Sequence, residues 1–144
     1  MCMNWDFTVI TNFGCDCHCK YCITKHHPIL QNAVTDKNKI DWEYLEKSIS
    51  ESNAHTVNLS GGGDPFYDWQ NNIDFYNHVY ELAAKYGKKL DIHTRILPTD
   101  MDLIKKFRKI ALSIESYDTK AMERLQVMLP EIERTTKLRV INVH

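Results

Sequence analysis

Short apolar segments rich in β-branched residues alternate with stretches of helical spacing along this chain, and that alternation limits its fold more than any other feature. Residues 7–11, 56–60, 90–94, 110–115 and 138–143 read as strands. Between the first two lies a long loop, then a helix capped by Asp41 with Trp42, Leu45 and Ile49 at helical spacing. A second helix over about 71–86 carries Ile73, Tyr76, Val79, Tyr80 and Ala83 on one stripe and is closed by Gly87. Pro98 with Thr99 or Asp100 opens a short third helix bearing Leu103, Ile104 and Phe107. Asp118 caps a fourth, with Met122, Leu125 and Met128 or Leu129 facing inward, and Pro130 breaks or restarts it. Consecutive βαβ units build a parallel sheet with right-handed crossovers, so the chain is α/β, either doubly wound or curling toward a barrel. At 144 residues it fits one domain, 1–144.

Charge and hydropathy exclude several classes. Eighteen Lys and Arg balance nineteen Asp and Glu, which speaks against a nucleic-acid or membrane-surface partner relying on a basic excess. No apolar run approaches the length of a membrane span, and residues 1–6 lack a basic region followed by an apolar core. The expected location is the cytoplasm.

Two clusters carry the chemistry. Cys15, Cys17, Cys19 and Cys22 fall within eight residues, too close together for a framework of distant disulfides. Cys15, Cys19 and Cys22 have the spacing C-x3-C-x2-C, in which three thiolates hold three corners of a [4Fe-4S] cubane and leave the fourth iron open to a ligand. The competing reading is a zinc site using all four cysteines, or His18 as well, although paired zinc half-sites are ordinarily a dozen or more residues apart. The second cluster is Gly61-Gly62-Gly63, where consecutive glycines suggest close backbone approach to a ligand. It lacks the Lys-Ser/Thr of a phosphate-binding P-loop. The cysteine loop, the segment Ser60 to Pro65 and His93-Thr94-Arg95 all follow strand ends, the edge where parallel α/β proteins assemble their sites.

With Tyr21 just before Cys22, the cysteine motif resembles that of the radical S-adenosylmethionine (SAM) enzymes. Gly61-Gly62-Gly63-Asp64-Pro65 is similar to the family's Gly-Gly-Glu segment in the Asp-Pro form of its aminomutase-like branch, and His93-Thr94-Arg95 also resembles that branch. The resemblance covers nearly the whole chain in order. It implies a partial parallel (β/α) barrel, with Cys15, Cys19 and Cys22 holding a [4Fe-4S] cluster whose unique iron SAM chelates. It further implies that Gly61, Gly62, Gly63 and Asp64 lie at the methionyl amino group, Arg95 at its carboxylate, Tyr21 at the adenine, and Ser113 and Glu115 at the ribose. The implied activity is reductive cleavage of SAM to a 5′-deoxyadenosyl radical that takes hydrogen from an unidentified substrate, with electrons from a flavodoxin- or ferredoxin-like donor. Alternatives are a non-catalytic iron–sulfur or zinc module and an activase that places a radical on a partner protein.

Plainer readings stand beside several of these residues. Arg95 alone suits a solvated cation, Ser113 a small core residue, and Glu115 a charge at a helix entry. His26 and His27 read as solvated loop residues, Cys17 as a non-ligand, and Cys2 has no assigned role. The family's barrel ordinarily has six strands, whereas this sequence stops in its fifth. Residues 138–143 are therefore expected to form an apolar edge open to self-association.

Overall fold

The computed structural model describes residues 6–15, 35–115 and 118–143. Among these, five strands form one all-parallel sheet: β1 (Asp6–Thr11), β2 (Thr56–Gly61), β3 (Lys89–Thr94), β4 (Lys109–Glu115) and β5 (Lys137–Val143). The helices are α1 (Trp42–Glu51), α2 (Ile73–Lys85), α3 (Met101–Ile104) and α4 (Thr119–Ile132), with short 3-10 turns at Lys37–Lys39 and Trp69–Asn71. None of the helices is long and apolar enough to cross a membrane.

Helix starts follow their capping chemistry. Asp41 accepts the Tyr44 N–H, Asp100 those of Asp102 and Leu103, and Asp118 that of Ala121, each satisfying a donor the first turn leaves unpaired. Gly87, at φ +67°, ends α2 in the left-handed conformation a side chain would disfavour. Two expectations are corrected. Pro130 does not break α4, which continues to Ile132. Met122 is 39% exposed, while Leu125 and Ile132 are the buried residues of α4 and Ala121 packs against the core.

The strand order is β1-β2-β3-β4-β5 without reversal. A doubly wound sheet reverses direction at a switch point, so that alternative is excluded. With every crossover right-handed, an unreversed order places all helices on one face. The packing agrees: Ile49 of α1, Tyr76 and Val79 of α2, Leu103 and Ile104 of α3, and Leu125 of α4 share one core with Val57, Leu59, Leu90, Ile92, Ile110, Leu112 and Ile114.

The alternate residues face the other way and are mostly polar. Thr8, Asn58, Asp91, Lys109 and Lys137 stand in register across the five strands. Asp91 is buried there under Arg108, whose Nε and Nη2 donate to its two oxygens at 3.1 and 2.5 Å, and Lys109 Nζ lies 3.9 Å away. Nearer the carboxyl edge Ser60 pairs with Ile10, and His93 with Ala111, which in turn pairs with Arg139, and Ser113 follows on β4. The Asp91, Arg108 and Lys109 ion group thus lies in the amino half of this face. β1 and β5 are the edges of the sheet among the described residues, with Ile10 69% and Val140 43% exposed.

Candidate functional site

Three segments leave the carboxyl edge side by side: the start of the cysteine loop after β1, the glycine loop after β2, and Thr94-Arg95 at the end of β3. The cysteine loop has a closed neck. Asn12 N–H donates to Thr35 Oγ1 and Thr35 N–H to the Asn12 carbonyl, both at 2.8 Å, so the chain leaves and rejoins the sheet edge at one point. Cys15 lies just inside that neck and is exposed. Tyr21, Cys17, Cys19 and Cys22 lie outside the described residues, as do Cys2, His18, His26 and His27. Among the described residues no three His, Cys, Asp or Glu side chains group to hold a metal.

The glycines permit an approach of backbone to backbone. A Cβ on Gly61 would stand 2.2 Å from the Thr11 carbonyl oxygen, and one on Gly63 would stand 2.5 Å from that of Gly14. Neither oxygen can move away, because each accepts a hydrogen bond from the loop: Gly62 N–H to Thr11 at 3.1 Å and Asp64 N–H to Gly14 at 3.0 Å. The close approach expected toward a ligand is, at Gly61 and Gly63, an approach to the chain's own first strand end.

Asp64 ties this loop to the third segment. Its residue is 5% exposed, and its carboxylate accepts the Phe66 N–H at Oδ1 (2.9 Å), the Thr94 hydroxyl at Oδ1, and the Arg95 N–H at Oδ2 (2.7 Å). Burial pushes the Asp64 carboxyl above its ordinary range, opposed by the Thr94 hydroxyl and the Arg95 and Phe66 amides. The Thr94 hydroxyl in turn accepts the Ile96 N–H at 3.0 Å. One residue therefore connects all three segments, its carboxylate holding Thr94 and Arg95 and its backbone N–H the Gly14 carbonyl.

Behind the loop, Phe66 is fully buried, with its ring edge-on to Tyr76 and Phe107 at centroid distances of 5.3 Å each. Tyr76 is also fully buried, and its hydroxyl donates to the Pro65 carbonyl at 2.5 Å. Burial, with the Asp64 and Asp68 carboxylates nearby, keeps this phenol far above its usual range and hence protonated as the donor. Tyr76→Phe keeps the ring but strands a buried carbonyl, so we expect a loss of about 1–3 kcal/mol, read as a lower urea midpoint at unchanged slope.

The remaining candidates divide between the two faces of the sheet. Arg95 lines a cavity of about 290 Å³ with Leu97, Leu112, Ile114, Arg124 and Met128, on the helix side of β4. Ser113 lies on the opposite, open face, its Oγ 3.3 Å from His93 Nε2. Glu115 closes β4 in register with Val143.

Sequence reasoning placed Ser60, His93 and Thr94 in motifs without giving them roles of their own, read Tyr76 only as helix packing, and did not single out Asn58. The polar strand positions left a signal: a parallel strand buried on both faces is apolar throughout, whereas here polar residues alternate along β2 and β3. A tyrosine among phenylalanines at an inward helix position signals a hydroxyl with a buried partner.

No protein-family model matches the chain, and no solved structure matches it.

Proposed function

We infer that the protein is a radical SAM enzyme, with a partial (β/α) barrel carrying its cofactors at the carboxyl edge. The observation supporting this most is the convergence there of Cys15, the Gly61–Asp64 loop and Arg95, segments some thirty to fifty residues apart in sequence, through hydrogen bonds of the loop to Gly14 and Arg95. The unreversed sheet and its polar open face suit a half-barrel that accepts a ligand on its inner side.

The donor set fits the group: Cys15 is exposed at the edge, and its sequence neighbours Cys19 and Cys22 complete the three-thiolate spacing. These cysteines would hold the [4Fe-4S] cluster, with Tyr21 nearby at the adenine. When bound, cluster and SAM would together supply one-electron reductive cleavage of the sulfonium. The chain's own residues orient the reactants. The glycine loop lies at the methionyl amino group, Arg95 offers its guanidinium to the carboxylate, and Ser113 and Glu115 lie toward the ribose. Ser60, His93 and Ser113 on the inner face offer hydrogen-bonding groups to a substrate. The electron comes from an external flavodoxin- or ferredoxin-like donor, and the cytoplasm is the compartment proposed.

Anaerobically reconstituted and reduced protein is expected to form 5′-deoxyadenosine slowly from SAM without added substrate, followed by chromatography of the quenched mixture. An intact cluster that yields none would favour the non-catalytic module.

A further inference from the structure

We propose that Asp64 is a positioning residue: its side chain locks the Arg95-bearing segment onto the glycine loop, whose backbone holds the Cys15-bearing segment, and it does not itself contact SAM. This rests on the radical SAM reading for its functional consequence, but the clasp itself follows from geometry alone. Both carboxylate oxygens already accept hydrogen bonds from the chain, from Phe66 and Thr94 at Oδ1 and Arg95 at Oδ2, in a residue only 5% exposed. The same residue's N–H holds the carbonyl of Gly14, next to Cys15. A group enclosed in this way can transmit position to the Arg95 segment, and at 5% exposure it presents little surface to an incoming ammonium.

The chemistry also makes a sharp demand on residue type. All three partners are donors, and a carboxylate has acceptors on both sides. Asparagine has an acceptor on one side only, so in either amide orientation its NH2 faces an N–H: that of Arg95, or that of Phe66 beside the Thr94 hydroxyl. Asp64→Asn, conservative in shape, is therefore nearly as disruptive as Asp64→Ala. Thr94 offers an independent handle. Thr94→Ser keeps the hydroxyl that donates to Asp64 and accepts from Ile96, and Thr94→Val removes it.

The test uses the full chain in two states. In the metal-free protein, hydrogen exchange at the Arg95 amide is followed in wild type, Asp64→Asn, Thr94→Val and Thr94→Ser. Exchange about tenfold or more faster is expected in Asp64→Asn, the factor that losing a hydrogen bond to a charged group gives. A smaller increase is expected in Thr94→Val and none in Thr94→Ser. In the reconstituted protein, the change that SAM induces in the paramagnetic resonance spectrum of the reduced cluster is titrated. Weaker SAM response in both Asp64→Asn and Thr94→Val, at unchanged iron and sulfide content and with recovery in Thr94→Ser, supports positioning. A response lost in Asp64→Asn but wild-type in Thr94→Val, with Arg95 exchange unaltered in both, would make Asp64 a direct ligand and overturn the proposal. If Asp64→Asn fails to fold, the two Thr94 variants alone decide between these outcomes. A wild-type protein that forms no SAM-responsive cluster would count against the radical SAM reading, while the exchange measurements still judge the clasp.

Discussion

Phe66→Ala is expected to destabilise the protein by about 3–5 kcal/mol, the cost typical of emptying a fully buried aromatic site. In a chain of this size that lowers the melting temperature by roughly 10 °C or more. The ring fills the space between Tyr76 of α2 and Phe107 beyond α3, so its removal loosens two helices together. Being the residue after Pro65, it also anchors the glycine loop, whose Asp64 accepts the Phe66 N–H. On the radical SAM reading, loss of the side chain should also weaken SAM binding in the fraction that stays folded. Val127→Ala is the matched control: it truncates a residue 82% exposed on α4 and should change stability by no more than about 0.5 kcal/mol. Differential scanning calorimetry of the two variants gives the comparison directly. Equal stability in both would mean that the loop is not held from below.

The second large effect is an all-or-none one. Cys15→Ala, Cys19→Ala and Cys22→Ala should each abolish the brown colour and the reducible cubane signal after anaerobic reconstitution, whereas Cys17→Ala should retain both. Three thiolates are the minimum that fixes a cubane with one open iron, so removing any one leaves two corners unsupported. Cys17 falls outside the C-x3-C-x2-C register. Iron and acid-labile sulfide assays with low-temperature paramagnetic resonance distinguish the cases. A cluster lost in Cys17→Ala, or zinc bound in place of iron by the wild-type chain, would show that the ligand set is a different one.

The strands and helices were legible because each is specified by neighbours in sequence. Alternating apolar positions mark the strands, and Asp41, Asp100 and Asp118 mark helix starts through bonds spanning two or three residues. The choice between doubly wound and unreversed sheets was not legible, since each βαβ unit reads alike in both and only strand order separates them. The helix faces were partly misread for a related reason. Met122 has the right spacing for an inward position, but Ala121 takes the core side, a rotation of one residue that periodicity alone does not resolve.

At the carboxyl edge the difficulty was greater. Asp64 bonds to Thr94 and Arg95 across about thirty residues, and no local pattern records a contact of that span. The resemblance implies a ligand contact for Asp64; in the fold its carboxylate accepts three hydrogen bonds from the chain and is enclosed. At Gly61 and Gly63 the sequence leaves the neighbour open, because steric need looks identical whether that neighbour is a cofactor or the chain's own carbonyl.

The paired hydrogen bonds between Asn12 and Thr35 have a consequence for how the chain can vary. They bring the two ends of the cysteine-bearing segment together at the end of β1, while Phe13 and Gly14 are tied to the scaffold by the Phe75 ring and the Asp64 N–H. Closing a flexible loop costs only about 0.6 kcal/mol more for each doubling of its length. On the radical SAM reading, segments of other lengths between positions 16 and 34 would therefore add little loop-closure cost, which makes this the natural place to vary the ligand set.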